Sequence, residues 1–129
     1  MQSAQSLTTM AKSKYFSEGE FARCTPPCKR DDMAQAFLNV MDAIREKAGI
    51  PLVINCAYRS VAHEKKQGRA GTSAHTYGLA VDIRCGSDAN RWKIIKAAIE
   101  CGVTRIGVSS SFIHIDISAK HTQCVVWTY

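Results

Sequence analysis

The sequence predicts an α+β domain: a small antiparallel sheet with helices packed on it. Two segments carry apolar residues at helical spacing, and five short apolar runs lie between them and after them. The length, 129 residues with 46% apolar and 22% charged, suits a single core and argues against two domains. Residues 1–13 are rich in Ser, Gln and Thr and read as a flexible arm, with residues 14–129 as the one domain.

Asp31 or Asp32 is placed to cap the first long helix. Met33, Phe37, Val40, Met41, Ile44 and Ala48 then share a face, Gly49 supplies the stop, and Pro51 follows. Leu52 to Cys56 reads as a short buried strand. The polar stretch 58–74, with Gly68 and Gly71, is a long excursion carrying a short helix over Val61 to Gln67. Leu79 to Ile83 is the next strand. Gly86-Ser87-Asp88 caps a second helix that turns Trp92, Ile95, Ala98 and Ile99 inward and ends at Gly102. Arg105 to Val108 and Phe112 to Ile117 pair around three serines, and Cys124 to Trp127 closes the sheet.

The chain carries 17 Lys and Arg against 11 acidic residues, a formal charge of +6 that suits an anionic partner. The basic residues are scattered, no nucleic-acid motif occurs, and aromatics are not interleaved with a basic stripe, which excludes nucleic acid. No run approaches the ~18 apolar residues of a membrane span, and the first ten residues lack the apolar centre of a secretory signal. The expectation is a soluble monomer made in the cytoplasm, with no membrane partner. Cys24, Cys28, Cys56, Cys85, Cys101 and Cys124 then read mostly as free thiols. Cys24 and Cys28 lack the second closely spaced pair that a four-cysteine zinc site needs.

Chemistry concentrates in His75, Asp82 and His114. A catalytic zinc takes three nitrogen or oxygen donors and keeps a fourth position open. Alternation puts Asp82 on the face of Ala80, opposite Val81 and Ile83, and puts His114 with Phe112 and Asp116, opposite Ile113 and Ile115. A histidine and an aspartate inside an apolar strand need a reason. On spacing alone, ordinary hydrogen bonding and metal ligation both stay open.

Longer motifs add to this. Ser73-Ala74-His75-Thr76-Tyr77-Gly78-Leu79-Ala80-Val81-Asp82 fits a Ser-x-His-x-x-Gly-x-Ala-x-Asp signature, and Phe112-Ile113-His114-Ile115-Asp116 a second metal segment. Ala57-Tyr58-Arg59-Ser60, the stretch from Lys14-Tyr15-Phe16-Ser17 to Glu20-Phe21, and the closing Val125-Val126-Trp127-Thr128-Tyr129 follow the same pattern. Over residues 14–129 the chain thus resembles the zinc D-alanyl-D-alanine carboxypeptidases, in their short, often phage-encoded branch.

The resemblance implies the fold shared by D,D-peptidases and the hedgehog domain. It also implies one Zn2+ per chain on His75, Asp82 and His114. Arg59 would hold the oxyanion or a terminal carboxylate, with Tyr58 and Ser73 beside the substrate. The implied reaction is hydrolysis of peptide bonds in bacterial peptidoglycan stem peptides, of the D-Ala-D-Ala carboxypeptidase type. A peptidoglycan endopeptidase or a zinc-containing binding module without turnover are the alternatives. Lacking an export signal, the protein would reach the wall as a phage lysis protein or virion component.

Many relatives carry an acidic or histidine general base two or three residues before the second ligand histidine. Here those positions are Phe112 and Ser111. Asp116, on the face of His114, becomes the expected base, with anchoring of a ligand histidine or direct ligation as its other possible roles. His63 sits in a charged stretch and His121 in a polar, exposed tail.

Overall fold

In the computed structural model, which describes residues 10–129, α1 (Glu18–Ala22) and a 3-10 turn (Arg30–Asp32) precede α2 (Gln35–Ala48). Then come β1 (Ile54–Cys56), α3 (Val61–Lys66), a second 3-10 turn (Ala74–Tyr77) and β2 (Ala80–Arg84). The chain continues through α4 (Asp88–Glu100), β3 (Arg105–Val108), β4 (Phe112–Asp116) and β5 (Val125–Thr128). One five-stranded sheet forms in the order β1-β2-β4-β3-β5. Among the described residues, no helix is long and apolar enough to cross a membrane.

The expected sheet was antiparallel throughout; one pairing is not. After β4 the chain passes round the end of β3 and returns on its far side. β5 therefore runs parallel to β3, with Val126 opposite Ile106 and Trp127 opposite Gly107.

Alternation gives the sheet its two faces. Val81, Ile83, Ile113 and Ile115 enter the core with Phe37, Leu38, Met41 and Ile44 of α2 and Ile94, Ala97 and Ala98 of α4. The opposite face carries Ala80, Asp82, His114 and Asp116, with Asp82 paired to His114 in register. A one-residue slip would expose Ile113 and Ile115, at about 1.5–3 kcal/mol each, and drive His114 and Asp116 into the apolar layer. Register is therefore tightly specified.

Three details differ from the sequence reading. Trp92 and Ile99 point outward, 67% and 58% exposed, and Ile95 is only half-buried. α4 docks instead through Ile94, Ala97 and Ala98, whose two small side chains let it lie close against α2. Neither aspartate caps α2, which starts after Ala34. Asp31 accepts from the Ala11 N–H at 2.8 Å, and Asp32 accepts from the Lys29 N–H at 2.9 Å to close the first 3-10 turn. Of the expected arm, residues 1–9 lie outside the described residues. Ala11, Lys12 and Ser13 are bonded to Asp31, Gln35 and Asp42. All six cysteines are free thiols.

Gly78 joins the second 3-10 turn to β2 at φ 68°. A Cβ there would lie 2.4 Å from the carbonyl oxygen of Asp32, and the Gly78 carbonyl accepts from the Ala34 N–H at 3.0 Å. Gly78→Ala combines left-handed strain with a backbone clash, so a loss of more than about 1 kcal/mol is expected. Urea denaturation checks this; an unchanged midpoint would show that the turn relaxes freely.

Candidate metal centre

His75 enters from the second 3-10 turn, Asp82 from the middle of β2 and His114 from the middle of β4. Nδ1 of His75 lies 2.6 Å from the carbonyl oxygen of Ala57, which can only accept. Nδ1 therefore carries the proton, and Nε2 turns its lone pair to Oδ1 of Asp82 at 3.4 Å. In His114 the roles reverse: Nε2 donates to Oδ2 of Asp116 at 2.6 Å, and Nδ1 lies 3.0 Å from the same Oδ1 of Asp82. Two ring nitrogens thus converge on one carboxylate oxygen, each with its far nitrogen occupied by an oxygen acceptor. A proton or a metal cation belongs between such groups, because unprotonated nitrogens and a carboxylate oxygen repel. The arrangement fits a metal ion by its donor chemistry.

Cys56 Sγ also comes within 4.8 Å of ligand atoms of His75 and Asp82, forming an overlapping donor set that the motifs did not suggest. Burial pushes the Cys56 thiol up to about 11, partly offset by Arg59. It is protonated near neutrality.

Asp116 leaves the same sheet face as His114, as the alternation predicts. Its side chain is fully buried on the Nε2 side of His114, away from Asp82. Oδ1 accepts from Nε of Arg105 at 2.8 Å and from the Ser118 N–H at 3.0 Å. Both carboxylate oxygens are engaged.

Arg59 donates from Nε to the buried Glu64 at 2.9 Å, and its Nη1 lies 3.6 Å from Cys56 Sγ. Ser73 donates its hydroxyl to the same Glu64 oxygen. Tyr58 packs against the core and lines neither cavity at the site. His63 is absent from both cavities as well. His121, expected in an exposed tail, lines the cleft, within 2.7 Å of Ser118 Oγ and 3.0 Å of the Thr72 carbonyl. Gly107 makes room for Trp127, whose indole would meet a Cβ there at 2.6 Å and lies 5.3 Å from the His114 ring between centroids.

The sequence reading missed Glu64 and Arg105. Glu64 stands among charges that look solvated, and only its place one turn after the capping Ser60 hints at an inward side chain. Arg105 pairs with Asp116 across neighbouring strands, where no sequence spacing marks it. Both carboxylates are fully buried, and removing the arginine leaves a stranded charge at a cost of about 3–5 kcal/mol.

A cleft of about 330 Å³ opens over His75, Asp82 and His114 and is bordered by Arg59, Ser73 and Trp127. Two imidazoles and one carboxylate at an open cleft form the donor arrangement of metal-dependent hydrolases. The sequence is more particular: residues 5–116 match the Peptidase M15 family model, and the chain belongs to that family. The match bears out the family expected from the motifs. No protein of curated function matches the sequence. Among solved structures, the fold is similar to that of the L-Ala D-Glu endopeptidase ChiX of Serratia marcescens, at 17% identity and a TM-score of 0.52. The alignment covers 88% of this chain and 94% of that one, and bears out the fold class.

Burial opposes charge on His114, but its bonds to Asp116 and Asp82 outweigh that and raise its pKa. Burial likewise opposes charge on Asp82, Asp116 and Glu64, yet their donors hold all three below the ordinary carboxyl range. In metal-free protein the carboxyls therefore contribute stability above about pH 4 that is lost as the pH falls. His114 contributes below about pH 6.5, and that part is lost as the pH rises through its folded pKa. The Tm of metal-free protein should peak at roughly pH 5–6.5 and fall on both sides. A Tm still rising at pH 8 would contradict a charged His114.

Proposed function

We propose that the protein is a zinc peptidase that hydrolyses peptide bonds in bacterial peptidoglycan stem peptides. One observation carries the reading: His75 Nε2 and His114 Nδ1 both face Oδ1 of Asp82, at 3.4 and 3.0 Å, with their far nitrogens occupied. This donor set is preferred over the one with Cys56, because that thiol faces, at 3.9 Å, the His75 nitrogen already turned to Ala57. Zinc in this position supplies a Lewis acid for the scissile carbonyl and makes water a nucleophile near neutral pH.

The chain's own residues do the positioning. Ala57 and Asp116 fix the two ring orientations and tautomers. Glu64 and Ser73 hold Arg59 at the cleft edge, where its guanidinium can meet the oxyanion or a substrate carboxylate. Asp116 serves as a positioning residue rather than as the base, because both its oxygens are taken and its side chain is fully buried. The related endopeptidase cleaves an L-Ala–D-Glu bond by name. That favours an endopeptidase at least as much as the D-Ala-D-Ala carboxypeptidase type suggested by the motifs. The second reading, a zinc-containing binding module without turnover, is favoured by one observation. Both oxygens of Asp116 are bonded, and Glu64, whose Oε1 has no partner, is fully buried, so neither is open to a water in the cleft, while Asp82 is turned to the two histidines.

Zinc-loaded protein incubated with peptidoglycan should release new peptide ends visible by mass spectrometry, and chelation should abolish them. Unchanged peptidoglycan at full zinc occupancy would favour the binding module. One zinc per chain is expected by metal analysis, with most of it lost in His75→Ala and in His114→Ala; full occupancy in both variants would overturn the donor set. Arg59→Lys should keep zinc but slow hydrolysis by about tenfold to a thousandfold, because the two-pronged planar donor is gone. Asp116→Asn should weaken zinc binding and leave most of the rate at saturating zinc. A loss of about a hundredfold or more with zinc retained would return Asp116 to the role of base.

A further inference from the structure

A second cavity of about 610 Å³ adjoins the cleft, and Arg59 and Asp82 line both. Three arginines line it from three separate segments: Arg23 follows α1, Arg59 lies between β1 and α3, and Arg84 ends β2. Arg84 stands two residues beyond Asp82, so both side chains leave the same face of the strand, about 7 Å apart at their α-carbons. Neither Arg23 nor Arg84 has an acidic partner within 4.0 Å among the described residues, whereas the half-buried Arg59 and Arg105 each do. The two carboxylates in the lobe are already occupied. Asp82 faces the two histidines, and Glu20 accepts from the Ser17 N–H at 2.7 Å in the cap of α1. Glu20 keeps its charge but lies within 4.0 Å of neither arginine, so Arg23 and Arg84 line the lobe as exposed arginines without an ion-pair partner among the described residues. Thr25 and Asn55 offer only neutral polar groups on its walls.

We propose that this lobe is a carboxylate-binding subsite, in which Arg23 and Arg84 hold a free carboxylate of a peptide whose backbone crosses Asp82 into the cleft. The inference rests on the peptidase reading and specifies the substrate as an anionic peptide. A planar guanidinium suits a carboxylate, because two parallel N–H groups match its two oxygens. Placing the anion beside the cleft rather than in it fixes the peptide's direction and register. The carboxylate can belong to a side chain or to the peptide's C-terminus, and the chemistry of recognition is the same.

The test uses the full zinc-loaded chain and three synthetic peptides of sequence L-Ala-D-isoGlu-L-Lys-D-Ala-D-Ala. One is unmodified, one has the isoglutamate α-carboxylate as its amide, and one has the C-terminal carboxylate as its amide. Calorimetric titration and initial rates are recorded for the unaltered protein, Arg84→Gln and Arg23→Gln/Arg84→Gln. Amidation at the recognised position should weaken binding about tenfold or more in the unaltered protein, with KM raised and kcat nearly kept. The double variant should bind that amide and the unmodified peptide equally, and which amide matters identifies the carboxylate. Equal or undetectable binding of all three peptides by the unaltered protein would overturn the subsite. So would retained discrimination in a double variant whose circular dichroism and zinc content are unchanged. Carboxylate-dependent binding without cleavage would keep the subsite and overturn the peptidase reading. Cleavage of all three at equal KM would do the reverse.

Discussion

The repulsion between two imidazole lone pairs and one carboxylate, all held on a half-buried sheet face, is the constraint on which the other polar features depend. Left without a cation or a proton between them, His75, Asp82 and His114 would push apart. The surrounding chain prevents that. The Ala57 carbonyl pins one ring, Asp116 pins the other, and the β2–β4 register holds Asp82 opposite His114. The centre is thus preorganised for a positive ion. In metal-free protein a proton on His114 fills that place, and the donors need no rearrangement when an ion replaces it.

Behind the centre, burial imposes a second requirement. Asp116 and Glu64 are fully enclosed, and a charge in such a place must be paired and hydrogen-bonded. Arg105 answers one and Arg59 the other. The two pairs differ in where the arginine goes next. Arg105 turns back to the Thr122 carbonyl and lies over the Trp127 ring, so it closes the wall of the cleft. Arg59 borders both cavities. Similar ion pairs therefore serve separate purposes, one holding a ligand histidine and the other presenting a cation.

The overall basic charge acquires a location in this light. Many of the lysines lie on exposed helical faces. Two arginines without acidic partners among the described residues, Arg23 and Arg84, line the cavity that adjoins the cleft. Net charge suggested an anionic partner but could not say where it would touch, because a sum carries no direction.

The sequence by itself determined the α+β class and the strands that carry Asp82 and His114, because period-two alternation fixes which side chains share a face; His75, on a turn, was marked only by the motif it belongs to. Helical periodicity served α2 well and misled for α4, where several faces are apolar enough to compete. Packing against α2 chose the one with Ala97 and Ala98, leaving Trp92 and Ile99 outside. The family was legible too, since several motifs fall in one order along nearly the whole chain. Only the tertiary structure decided which nitrogen of each imidazole faces Asp82, that Asp116 stands behind His114, and that Glu64, Arg105, Cys56 and His121 belong to the site. Those facts depend on contacts between residues as far apart as Thr72 and His121. Strand alternation says which face a side chain leaves from, but not which way it bends once there, and that is set by partners on other elements.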